Sequence, residues 1–148
     1  MTKEVIAAIR GLHFSMEDGT DKIETITPAE YFYRGGCHYL IYEDVDEGSG
    51  QTTKNLLKWK PHLVELTRKG MIDVHMVFEE QKKNLARYTT PFGSVMVGID
   101  TSKVDVNEEP EKITLSVDYA LDINYEQFAN CSISVEISEK NAGIDLAG

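Results

Sequence analysis

Cysteine is scarce, long apolar runs are missing, and cations are outnumbered in this chain of 148 residues. Its two cysteines, Cys37 and Cys131, form no C-x-x-C pair. Structural zinc and thioredoxin-like redox chemistry therefore lose their usual signature, and two reduced thiols are expected. No window approaches the roughly 20 apolar residues that a membrane helix needs. The start, "MTKEVIAAIRGLHFS", sets Glu4 and Arg10 around a short apolar stretch. That is no signal-peptide core, and a cytoplasmic protein is expected. Lys and Arg number 15 against 25 Asp and Glu, a formal charge of −10. An acidic chain repels phosphate backbones, so nucleic-acid binding is not expected. The cations that do cluster, Lys54, Lys58, Lys60, Arg68, Lys69 and then Lys82, Lys83, Arg87, read as solvated faces.

Catalytic spacing is missing as well. No G-x-G-x-x-G, Walker loop, G-x-S-x-G or H-E-x-x-H occurs. "EGSGQTTK" reads as a hairpin loop, because no helix follows to receive a phosphate. "EDVDEGSG" lacks the glycine of a calcium loop and reads as an acidic turn. The four histidines, His13, His38, His62 and His75, are scattered along the chain. Neither a metal site nor a cofactor is expected from them.

What the chain does have is a period of two. In "EKITLSVDYALDIN", Ile113, Leu115, Val117, Tyr119, Leu121 and Ile123 share one parity, and the other is almost wholly polar. Strands put alternate side chains on opposite faces, so this is a strand with one face buried. "NCSISVEIS" repeats the pattern with Cys131, Ile133, Val135 and Ile137 inward. Further strands are expected at 3–14, 21–27, 37–45, 52–59, 63–68, 71–80, 83–90 and 94–101. Turn chemistry recurs between them, every 8 to 14 residues by our reading, which leaves little room for crossover helices. Leu56, Trp59, Leu63 and Leu66 follow a helical rhythm, but Pro61 interrupts it, so two strands are expected there. A short helix around "PAEYFY" is the other exception considered, since Pro28 suits a first helical turn.

A meander of this many strands must protect its edges, and closure into a barrel does so. The expected fold is all-β: a single antiparallel up-and-down barrel of about eight to ten strands over residues 1–139. Residues 140–148 are expected to form a flexible tail.

The corner "TPFG" follows from turn rules. Pro91 fixes φ at the second position and Gly93 supplies positive φ at the fourth, a type I turn with a glycine bulge. Phe92 could fold over the barrel end, and the corner is either a plain turn or a ligand-contacting loop. "MVFEEQKKNLARYTTPFGSVMVGIDT", with "GGCHYLIYE" before it and "KITLSVDYALDIN" after, resembles the YwiB-like family of small bacterial proteins. That resemblance implies a calycin-like, lipocalin-like barrel and residence in the bacterial cytoplasm. The family is a domain of unknown function and brings no catalytic residues.

Candidate binding residues come from an aromatic and cationic set: Tyr31, Phe32, Tyr33, Arg34, Tyr39, Tyr42, Arg87 and Tyr88. Arg34, His38, Tyr42, Arg87, Tyr88 and Phe92 are the residues chosen to hold a small apolar or amphipathic ligand in an open barrel. The alternative is a filled barrel that binds a protein partner or forms a homodimer, since "CHYLIYE" and "VIAAI" are apolar on both faces. A third reading, an enzyme using Arg87, His38 and Glu43 at the barrel mouth, has no spacing signature behind it.

Overall fold

The computed structural model describes residues 4–11, 14–15, 19–20, 24–45, 48, 50–70 and 73–139. His13 and the expected tail at 140–148 lie outside the described residues. Twelve strands follow one another: β1 (Glu4–Arg10), β2 (Phe14–Ser15), β3 (Gly19–Thr20), β4 (Glu24–Arg34), β5 (Cys37–Val45), β6 (Thr52–Lys60), β7 (Leu63–Gly70), β8 (Val74–Glu79), β9 (Lys82–Thr90), β10 (Gly93–Glu108), β11 (Lys112–Ile123) and β12 (Glu126–Glu139). β2 and β3 pair only with each other, while the other ten form one sheet in the order β8-β7-β6-β5-β4-β1-β12-β11-β10-β9. Every ladder is antiparallel.

The ring closes twice. The first strand pairs with the last, from Val5↔Glu139 to Arg10↔Ser134. At the other seam, β8 and β9 meet through a bridge in which Asp73 N–H donates to Thr89 O at 2.9 Å and Thr89 N–H donates to Asp73 O at 3.0 Å. At the hairpin end of that seam, Glu80 N–H donates to His62 O and Gln81 N–H to Thr101 O. The barrel is thus nearly closed, as the alternating pattern requires.

Alternation holds along the wall. Val5, Ala7 and Ile9 of β1, Leu40 and Tyr42 of β5, and Ile113 through Leu121 at every second position of β11 are buried. β10 carries a bulge between Thr101 and Lys103. A bulge adds one residue and so moves the inward parity from odd to even: Val97, Ile99 and Thr101 point inward before it, Val104 after it. That parity change hid the second half of β10, which had been expected to end at 101.

The chain around Pro61 forms two strands joined by a two-residue turn, with Lys60 opposite Leu63. Pro61 sets the first central residue, and His62 takes φ of 71° at the second, the sign pattern of a type II turn. The helical spacing of Leu56, Trp59, Leu63 and Leu66 is coincidental. Leu57, Trp59, Val64 and Leu66 form the inward set. The helix considered around 28–33 is also absent, because those residues continue β4. At the TPFG corner, Thr90 pairs with Gly93, whose φ is 133°, as the bulged turn demands. Phe92 does not cap the barrel; its side chain is 96% exposed.

Gly11 shows how tightly the end of β1 lies on β12. Its φ is 84°, and a Cβ there would stand 2.0 Å from the backbone oxygen of Ser132. Gly50 has a similar φ of 74° but open space around it. Gly50→Ala is expected to cost only the left-handed strain, about 1 kcal/mol. Gly11→Ala adds a backbone clash and is expected to cost about 3 kcal/mol or more. Urea unfolding of both variants checks this, and equal losses would show that the β1–β12 contact is not tight.

Candidate functional site

Among the described residues, clusters of mutually bonded polar side chains enter the apolar interior at two places. At one, β4 and β5 bring Tyr31 and His38 together. The Tyr31 hydroxyl lies 2.7 Å from His38 Nδ1, and His38 Nε2 lies 2.9 Å from a carboxylate oxygen of Glu108 on β10. The imidazole stacks on Trp59, with centroids 5.1 Å apart and planes within 9°, and Tyr33 meets it edge-on. His38 is only 4% exposed. Burial lowers its pKa below the ordinary 6.5, and the Glu108 carboxylate works against that shift. Burial first, then Glu108 and Tyr33, push the Tyr31 phenol up. A neutral imidazole fits this chain of contacts: Nε2–H donates to Glu108, and Nδ1 accepts from Tyr31. The order resembles a carboxylate–histidine–hydroxyl relay, but the raised phenol pKa makes Tyr31 a poor nucleophile.

The second place is a buried ion pair. β7 places Arg68 in the same inward row as Val64 and Leu66. Its Nε–H donates to Asn55 Oδ1 at 2.8 Å, and Nη2 donates to Asp44 Oδ2 at 3.1 Å. Asn55 Nδ2–H donates to the same Asp44 oxygen at 3.0 Å and to Thr53 O at 3.2 Å. Arg68 is 5% exposed. Tyr42, Tyr88 and Tyr119 are buried too, and burial raises all three phenols. Asp44 adds to the rise at Tyr42, while Arg68 opposes it there and at Tyr88.

Beside this pair, a cavity of about 20 Å³ is lined by Arg68, Met76, Tyr88, Val97, Tyr119 and Leu121, with Gly11. That is room for about one water. Pockets for small organic ligands run to roughly 300–1,000 Å³.

The six chosen binding residues do not form one site. His38 and Tyr42 point inward from β5 at the two separate polar places, and Tyr88 joins the second. Arg34 lies outside, its guanidinium carbon 5.6 Å from the Phe32 ring centroid. Arg87 is exposed, and Phe92 stands in solvent. The enzyme reading needed Arg87, His38 and Glu43 together, but Arg87 and Glu43 are exposed on the wall while His38 is inside. Among the described residues, no group of three or more His, Cys, Asp or Glu is placed to hold a metal.

Arg68 and Asn55 were missed. The expectation that Arg68 belongs to a solvated basic face is corrected. Its parity with Val64 and Leu66 was the available signal, and the neighbouring lysines masked it. Asn55 shares parity with Leu57 and Trp59 in the same way.

The fold defines a class: an all-β, ten-stranded antiparallel barrel, calycin-like in architecture, with aromatic and polar side chains buried in its interior. Residues 8–135 match the family described as a domain of unknown function (DUF1934), and the chain belongs to that family. None of the curated proteins matches the chain. Among solved structures it is similar to the ywiB protein from Bacillus subtilis, with a TM-score of 0.68 and 20% identity over 92% of this chain and 87% of that one. At that identity the likeness shows the fold, and it agrees with the YwiB-like resemblance read from the sequence.

Two outcomes follow for the interior. Removing one partner of a buried ion pair leaves an uncompensated charge and typically costs 3–5 kcal/mol. Asp44→Ala is therefore expected to cost about 3 kcal/mol in urea unfolding. The double variant Asp44→Leu with Arg68→Met should lose less than the two single losses added, because no charge is left stranded. Strict additivity would mean that the pair is not coupled.

The histidine gives a pH effect. Folded His38 holds a proton less tightly than an unfolded histidine, so the unfolded state binds more protons below pH 6.5. Its contribution to stability is present above 6.5 and is lost as pH falls through the lower folded value. Tyr31, Tyr33 and Glu108 are the titratable groups facing it. Denaturation midpoints between pH 7.5 and 5 should fall for the native chain. They should fall less for His38→Gln and more for Glu108→Gln, and identical curves would refute the assignment.

Proposed function

We propose that this protein is a non-enzymatic interaction module: a filled barrel that works through its outer wall on a protein partner. One observation carries the reading. The lumen is occupied by Trp59, Phe78, Tyr42, Tyr88, Tyr119 and the Arg68 pair, with a cavity of about 20 Å³ beside them. A barrel that stores a ligand needs more than ten times that space. The wall supports the same reading. Phe32 and Tyr39 stack on its outer side at 4.7 Å, flanked by Arg34 over one ring and Lys58 over the other.

The outward faces of β11 and β12 carry Lys112, Asp118, Ser134 and Glu136. A barrel spanning a membrane has the reverse arrangement, with an apolar band outside. Among the described residues, no helix is long and apolar enough to cross a membrane. These features fit action in an aqueous compartment, and we place the protein in the cytoplasm.

Native mass spectrometry of protein purified from its own host tests the reading. The expected mass is that of the polypeptide alone or of its protein complexes. A small molecule retained one-to-one would overturn it in favour of a luminal ligand. In the same cells, a photo-crosslinking residue at Tyr39 is expected to give discrete protein adducts, and one at Ser134 on β12, beyond β4 and β1 in the sheet, none.

A further inference from the structure

Cations on the outer wall of this acidic chain mostly find carboxylates. Arg10 pairs with Glu24, Lys82 with Glu79, Lys83 with Asp122, Lys103 with Asp105 and Lys112 with Glu136. Arg34 and Lys58 rest on rings instead. The Arg34 guanidinium carbon lies 5.6 Å from the Phe32 centroid, and Lys58 Nζ lies 5.6 Å from the Tyr39 centroid. The two rings stack on each other with planes within 12°. Among the described residues, no carboxylate stands within ion-pair distance of Arg34, Lys58 or Lys60.

Strand register makes these residues one surface. Phe32 stands opposite Tyr39, and Tyr39 opposite Lys58. Arg34 stands opposite Cys37 at the end of the β4–β5 ladder. Cys37, Lys58, Lys60 and Leu63 line a recess of about 60 Å³ beside the rings. Glu65 lines it too, opposite Lys58 in the β6–β7 ladder, but its carboxylate lies 3.5 Å from His75 Nε2. Glu30, two residues before Phe32, is the other carboxylate close by. Arg34, Lys58 and Lys60 against Glu30 and Glu65 give 3 − 2 = +1, on a chain whose formal charge is −10.

A ring attracts a cation through its quadrupole but does not neutralise it. A cation held on a ring therefore keeps its charge for a partner while its long side chain is already ordered. Preorganisation of this kind lowers the cost of binding an anion. Phosphate polymers are the wrong anion, because the chain as a whole repels them and Glu30 and Glu65 flank the ridge. A protein segment can carry a few carboxylates with apolar side chains between them, which matches two ring-held cations around a half-buried aromatic pair. In an extended segment every second side chain shares a face.

We propose that the Phe32–Tyr39 ridge docks an extended acidic segment of a partner protein, whose carboxylates meet Arg34 and Lys58 and whose intervening apolar side chain covers the stacked rings. This rests on the interaction reading above and names the chemistry of the partner.

The test uses the full chain, labelled with ¹⁵N, in low salt, with the capped peptides Glu-Ser-Leu-Ser-Glu and Lys-Ser-Leu-Ser-Lys. The acidic peptide is expected to shift amide signals of 32–34, 37–39 and 58–60, and the basic one to bind at least tenfold more weakly. Arg34→Gln and Lys58→Gln should each weaken the acidic peptide at least threefold at an unchanged melting temperature. Arg87→Gln, which removes an exposed cation on β9, should leave its affinity as it was. The double variant Phe32→Leu with Tyr39→Leu keeps every charge and removes both rings, and it should also lose at least threefold. Shifts spread over the other exposed lysines, equal binding by the two peptides, or full affinity in the double variant would overturn the ridge. Tighter binding of a short oligothymidylate than of the acidic peptide would overturn it in favour of a nucleic acid. If the ridge fails with peptides while Tyr39 still crosslinks to partners, the interaction reading stands. A retained luminal molecule would remove that reading whatever the peptides do.

Discussion

Pairing of the first strand with the last is the constraint on which the rest depends. β1 joins β12 across six residue pairs and β4 across seven. Without that junction, the ten-stranded sheet would be an open ribbon with its longest strands at risk of pairing with other chains. Closure also defines an inside. Only a closed wall makes the odd and even positions of each strand mean core and solvent, and only then does a buried Arg68 on β7 face Asn55 on β6 and Asp44 on β5. The contact is close enough that Gly11 has no room for a Cβ against Ser132.

A ring of this size brings its own requirement. About eight strands give an interior that side chains just fill, and ten give a wider one. Small aliphatic residues alone would leave a void. The chain answers with bulk: Trp59, Phe78, Tyr31, Tyr42, Tyr88 and Tyr119, with His38 and Arg68 among them. Phe78 meets Tyr119 edge-on at 5.0 Å, and Tyr31 lies 6.4 Å from Trp59, so the rings support one another. Buried polar groups accompany this bulk, and they are bonded where it matters most. Asp44, Asn55 and Arg68 share three hydrogen bonds, which is what makes the burial of a charge tolerable.

Much of the architecture was legible because alternation is a direct consequence of strand geometry. Ile113 to Ile123 and Cys131 to Ile137 announce their strands, and Pro61 separates β6 from β7 as its missing N–H predicts. The second half of β10 was not legible, since the bulge after Thr101 reverses parity without any residue that marks it. The interior site was legible in part. His38, Tyr42 and Tyr88 sit on inward parities that the sequence displays. Arg68 was lost because charge runs usually mean solvent, and here a run of basic residues crosses from outside to inside at a single position. Arg87 was misjudged for the complementary reason: Ala86 and Tyr88 hold the inward parity, so Arg87 faces out. The pairing of Arg68 with Asp44, 24 residues away, depends on strand register and could not be read locally.

The aromatic and cationic residues that suggest a ligand in the sequence thus divide between two tasks. Inside, Tyr31, Tyr42, Tyr88, Tyr119 and Arg68 are buried among the aliphatic core residues. Outside, Phe32, Tyr39, Arg34 and Lys58 form a stacked ladder on the part of the wall where β4 and β5 are paired. The two tasks are linked through β5, whose inward residues His38, Leu40 and Tyr42 are fixed by the core. β5 therefore carries core packing on one side of its pleat and the stacked Phe32–Tyr39 pair on the other, so the inner and outer aromatic sets are held by the same strand.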